Sequence, residues 1–84
     1  MNAVSYEDIA NGKKILVYLD DGNEVGGTVS GKTDTILRLS GAAKVKEEWV
    51  AGINEMFIKK GEELGNVELK SENIIRWRDY PASL

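Results

Sequence analysis

The sequence predicts a mainly β protein: a small, strongly bent, five-stranded β-barrel with a short N-terminal helix and a helical or hairpin insertion around residues 44–60. Three observations predict it. Apolar and β-branched residues alternate from Lys14 to Leu19, the period-two pattern of a strand. Asp20-Asp21-Gly22-Asn23 then supplies residues that tolerate a left-handed backbone, as a tight reversal requires. Gly26-Gly27 interrupts the next strand, and a glycine pair there marks a bend, a bulge or a close backbone approach.

Taken in order, Ser5 to Ala10 reads as a short helix. Ser5 stands at its cap, Glu7 and Asp8 in its first turn, and Asn11-Gly12 at its end, with Tyr6, Ile9 and Ala10 facing the barrel. Three strands follow: Lys14 to Leu19, a second carrying Val25, Thr28 and Val29, and Thr35 to Leu39 after a turn at Ser30 to Asp34. Gly41-Ala42-Ala43 breaks the pattern. Beyond it, Val45, Trp49, Ile53, Met56, Phe57 and Leu64 fit one stripe of an amphipathic helix ending near Gly61, with Trp49 packing on the barrel. The competing reading is a hairpin with strands at Glu48 to Ala51 and Glu55 to Lys59. Val67 to Lys70 and Ile74 to Trp77 are short apolar strands on either side of a turn at Ser71-Glu72-Asn73, and the residues from Asp79 onward form a tail. The expected organisation is one domain: helix 1–12, meander 13–40, insertion 41–63, closing strands 64–78 and tail 79–84.

Composition narrows the chemistry. With 84 residues, the chain buries only roughly 60–65% of its unfolded surface. It has no cysteine and no histidine, which removes disulfides, thiolate metal sites and the commonest general base, and points to a reducing compartment. No nucleophile–base pair can be named, so an enzyme is not expected, and neither is a cofactor or metal. Eleven basic against fourteen acidic residues give a net charge of −3, so nucleic acid would need a locally basic face. No apolar run reaches membrane-spanning length and no leader pattern opens the chain, so a cytoplasmic protein is expected.

Two stretches resemble the paired motifs of the Sm and Sm-like proteins. Val17-Tyr18-Leu19-Asp20-Asp21-Gly22, continuing to Gly27-Thr28-Val29 and Asp34, is similar to the first; Val67 through Ile75 is similar to the second. The resemblance implies an Sm-like barrel that assembles into a homo-oligomeric ring, with loops from both motifs lining a pore that holds single-stranded RNA. Carried over position by position, it implies Lys32, Asp34, Arg38, Lys70 and Asn73 as nucleic-acid contacts. Two positions depart from the pattern. Arg38 stands where uridine-binding members usually have asparagine, and Lys70-Ser71 replaces Arg-Gly, so base preference does not carry over. Each residue also has a plain structural reading: Asp34 and Asn73 as turn residues, Arg38 as a solvated face.

The last two strands would be sheet edges, and Val67, Leu69, Ile74 and Ile75 are the expected subunit contacts, paired head to tail. Arg76 and Arg78 flank Trp77; the simplest reading closes the barrel with Trp77 and pairs the arginines with Glu68 or Glu72. The alternative to a nucleic-acid ring is an assembly module that binds protein through an edge strand or the Trp49/Phe57 face.

Overall fold

A computed structural model of the chain describes residues 5–53 and 55–80. Five strands form one antiparallel, strongly bent sheet: β1 (Lys14–Leu19), β2 (Glu24–Lys32), β3 (Ile36–Val50), β4 (Glu55–Lys70) and β5 (Ile74–Asp79). Their spatial order is β4-β3-β2-β1-β5, so the last strand returns to pair with the first. The expected barrel is present. Single 3-10 turns lie at Tyr6–Asp8 and Ser71–Asn73, and among the described residues there is no α-helix.

β1 is covered on both sides. Ile15 and Val17 belong to the core with Val25, Val29, Leu37, Leu39 and Trp77, while Leu16 and Tyr18 are buried on the opposite face. The sheet manages this by bending at Gly27. The β2–β3 register slips between Gly26 and Thr28, and β3 answers with irregularities from Leu39 to Val45. A Cβ on Gly27 would lie 3.1 Å from Leu39 Cβ and 3.2 Å from Ala42 Cα, which leaves room for hydrogen alone at the inside of the bend. Gly26 faces the other way and is roofed by Tyr80 and Leu16.

The N-terminal segment corrects the expected helix. Only one 3-10 turn forms, closed by Asp8 N–H donating to the Ser5 carbonyl at 3.0 Å, and Gly12 reverses the chain at φ 86°. Five residues between cap and stop are too few to nucleate an α-helix unaided. Ile9 is buried and Tyr6 packs against the core as expected, but Ala10 is exposed. Trp77 ties the segment down by donating its indole N–H to the Ser5 carbonyl at 3.0 Å.

The insertion is the hairpin, not the helix. Gly41 takes a left-handed φ of 57°, and β3 runs on through Ala42 and Ala43 to Val50. Its outer half pairs with β4 in register from Val45↔Lys60 to Val50↔Glu55. Gly61 sits inside β4 against the Lys44 carbonyl rather than ending a helix. The apolar stripe misled because this hairpin projects beyond the barrel with both faces wet, so neither face enforces strict alternation. Trp49, expected against the barrel, is 59% exposed. Met56 has no described side chain, and the tail beyond Tyr80 lies outside the described residues.

The arginines flanking Trp77 are also repartnered. Arg38 holds Glu68, Arg76 lies 4.1 Å over the Tyr18 ring, and Arg78 reaches Glu47 at 3.8 Å. Tyr18 donates its hydroxyl to the same Glu47 carboxylate, which fastens the root of the hairpin to β1 and β5. Burial first, then the Glu47 hydrogen bond, raise the Tyr18 pKa above its ordinary value of 10.0.

Two substitutions check this packing. Gly27→Ala is expected to lose about 1–3 kcal/mol in urea melts, because Ala42 Cα and the Cβ atoms of Leu39 and Ala42, which move only with the backbone, crowd the site. Tyr18→Phe is expected to lose about 1 kcal/mol. The neutral phenol is the stabilised form, so the wild type's advantage over Tyr18→Phe persists up to the unfolded value of 10.0 and disappears as pH rises through the folded pKa.

Candidate nucleic-acid interface

The turn before β3 and the turn before β5 meet side by side. Ser71 makes the junction: its N–H donates to the Thr35 carbonyl at 2.8 Å and its hydroxyl to the Asp34 carbonyl at 3.0 Å. Asp20 N–H donates to the Asn73 carbonyl at 2.9 Å, which brings the β1–β2 reversal to the same end of the barrel. That reversal is self-contained, since Asp21 accepts from both the backbone and the side chain of Asn23. These two hydrogen bonds lower the Asp21 pKa. A turn stabilised in this way is the plain reading of Asp20-Asp21, and among the described residues no cluster is arranged to hold a metal.

The five predicted contacts do not converge. Asp34 is exposed and shares a cleft of about 330 Å³ with Tyr6, Ser71, Glu72 and Ile75. Its charge acts on Tyr6, whose pKa is raised chiefly by burial and secondarily by Asp34. Lys70 and Asn73 line a separate cleft of about 270 Å³ with Asp20 and Asp21. Lys32 is occupied: its ammonium donates to the Tyr6 and Glu7 carbonyls at 3.1 Å each and lies 5.2 Å from the Tyr6 ring. Arg38 is occupied as well, with Nε 2.8 Å from Glu68 Oε2 on the neighbouring strand. Both partners are solvated, so this pair contributes at most about 1 kcal/mol. Among the described residues, Lys70 is the one member of the set whose cation has no partner.

The expected subunit contacts lie on the two edges of the sheet, β4 and β5. Val67, Leu69 and Ile74 turn their side chains partly onto the core. Ile75 alone is open, 66% exposed beside the register irregularity at Tyr18/Leu19. What these edges offer is therefore backbone hydrogen bonding plus one isoleucine.

Two features escaped the sequence. Glu24 leaves Oε2 buried without a hydrogen-bond partner among the described residues, and burial, then Glu47, raise its pKa while Arg76 opposes. Only the β1–β2 and β2–β3 registers place it there. The second is the split of the hairpin's apolar residues: the Trp49↔Met56 and Glu48↔Phe57 pairs put Trp49 and Phe57, expected on one face, on opposite faces, 59% and 40% exposed.

A bent five-stranded sheet of order β4-β3-β2-β1-β5, with the turns before β3 and β5 abutting, defines an Sm-like fold. The chain is similar to a heptameric archaeal Sm protein at 25% identity and TM-score 0.56, covering 83% of this chain and 88% of that one. It is equally similar to the SmAP1 heptamer of P. aerophilum, at 25% identity and TM-score 0.56, over 84% and 82% of the two chains. No family model matches the sequence, and no curated protein matches it.

Lys32→Ala is expected to lower stability by about 1–2 kcal/mol, because two carbonyls lose a charged donor. Glu24→Gln is expected to raise the melting temperature at pH 7. A carboxyl with a raised folded pKa destabilises the fold once ionised, so the gain over wild type shrinks as pH falls toward the ordinary value of 4.5. Thermal melts at pH 7 and pH 4 read both effects.

Proposed function

We propose that the protein is a non-catalytic Sm-like ring that binds single-stranded nucleic acid, RNA more readily than DNA. The observation that carries this is the pair of open edges at opposite ends of the sheet order. An unpaired β4 and an unpaired β5 on one protomer are complementary to those of the next, so head-to-tail pairing generates a ring. The likeness to two heptameric archaeal Sm proteins supports the same assembly. A ring gathers the abutting turns of every subunit around one axis, repeating Lys70, Asn73 and Asp34 at each step. Repetition answers the overall charge of −3, since a local ring of lysines can attract phosphate while the outside stays acidic. Among the described residues no helix is long and apolar enough to cross a membrane.

A second reading, an assembly module that binds protein through its edge strands or through Trp49 or Phe57, exposed on opposite faces of the hairpin, draws on those apolar side chains.

Light scattering coupled to size exclusion is expected to give a closed oligomer, and Ile75→Asp is expected to shift it toward monomer. A monomeric wild type would sink the ring. Labelled single-stranded oligonucleotides are expected to bind the oligomer at low salt and to weaken linearly on a log–log plot as salt rises. Absence of binding at low salt would leave the assembly-module reading in its place.

A further inference from the structure

We propose that the outer shaft of the β3–β4 hairpin is a contact for single-stranded nucleic acid, in which Lys46 and Lys59 hold phosphate and Phe57 stacks a base. The proposal rests on the nucleic-acid reading above and moves its main site from the abutting turns to the hairpin.

Lys46 and Lys59 are directly opposed in the β3–β4 register, and the next pair on the same face is Glu48↔Phe57. Like charges opposite one another on a two-stranded ribbon are destabilising. The other shaft lysines have carboxylate partners: Lys44 reaches Glu62 at 3.7 Å and Lys60 reaches Glu63 at 3.5 Å. Lys46 and Lys59 have none among the described residues. Glu48 lies across from Phe57, yet forms no ion pair with either lysine among the described residues. Glu47, the adjacent carboxylate, points to the opposite face and is held by Tyr18 and Arg78.

Lys46 and Lys59 also border a cleft of about 700 Å³, shared with the ion-paired Lys44 and Lys60 and with Glu24, Glu47, Glu48 and Glu62. That volume lies within the range of small-ligand sites. A phosphate between the two ammonium groups would relieve their repulsion. Phe57, 40% exposed beside them, offers the flat apolar surface on which a base stacks regardless of its identity. The predicted contacts lack both features: they contain no aromatic side chain, and two of their three cations are occupied.

The test measures anisotropy of labelled oligo(U) and oligo(dT) against the assembled protein across a salt series. Lys46→Ala/Lys59→Ala is expected to flatten the log–log salt slope by about 0.7 for each engaged subunit, the share of one phosphate. Phe57→Ser is expected to weaken binding on the order of 10-fold. Lys60→Ala, which removes one charge from a lysine that the Val45↔Lys60 pairing puts on the other face and that Glu63 holds, is expected to bind as wild type. Light scattering and thermal melts establish that each variant keeps its oligomer and fold. If the wild type binds and the double lysine variant binds equally well, or Lys60→Ala loses as much, the hairpin site is overturned while the nucleic-acid ring stands. If the wild type does not bind at low salt, both fail. If Phe57→Ser loses its oligomeric mass and the remaining protein binds oligonucleotide normally, the face is a protein contact and the proposal is overturned.

Discussion

The close approach at Gly27 is the constraint on which the rest of the molecule depends. With no side chain there, Leu39 and Ala42 close on the inside of the bend, and one β2 strand serves two halves of a curled sheet. The first half pairs β2 with β1 and the outer part of β3; the second pairs it with the inner part of β3, which carries β4. Curling brings Ile15, Val29, Leu37 and Trp77 around one core although each strand presents only a few apolar residues to it. A flat sheet of this length would expose one face entirely. The bend also sets the two open edges at a fixed attitude to each other, which is the geometric requirement for ring closure.

Polar links hold the ends of this curl. Lys32 anchors the N-terminal turn, Trp77 catches the Ser5 carbonyl, and Ser71 fastens the two turns that the ring reading places at the axis. None of them is an isolated surface ion pair. Each donates to a backbone carbonyl: the Ser5 and Tyr6 carbonyls also accept from Asp8 and Ile9 N–H, whereas the Glu7 and Asp34 carbonyls have the side-chain donor as their partner among the described residues. The Tyr18–Glu47–Arg78 group plays the same part at the root of the hairpin, and Glu24 beside it is the one buried carboxylate oxygen left without a donor among the described residues.

The meander and the closing strands were legible because each packs apolar side chains onto the core, β1 on both of its faces. The apolar, β-branched run from Ile15 to Leu19, the Gly22 turn, the Gly27 bend and Val67 to Trp77 each carry a local signal of that packing. The hairpin was not legible as such, because Val45 to Val50 and Phe57 to Lys60 leave the barrel and lose the dry face that enforces a period of two. Its apolar residues then matched a helical stripe by spacing alone. The candidate site was readable at the level of its turns, Asp34 and Ser71 to Asn73, but not at the level of charge. Whether Arg38 is free depends on Glu68, thirty residues away, and Lys32 is occupied by carbonyls of a segment that precedes the first strand. Register decides both, and register is a property of the whole sheet.

The pairing of β5 with β1 has a consequence for how the chain comes into being. Ile15 meets Asp79, and Val17 meets Trp77. During synthesis from the N-terminus, the outer edge of β1 stays uncovered until β5 follows. Until β5 is made, the nascent meander displays an unsatisfied ribbon and an unfilled core. Contacts this distant in sequence make for slow folding at a given stability. The uncovered edge of a half-made chain carries unpaired N–H and C=O groups, the template on which strands of other chains pair.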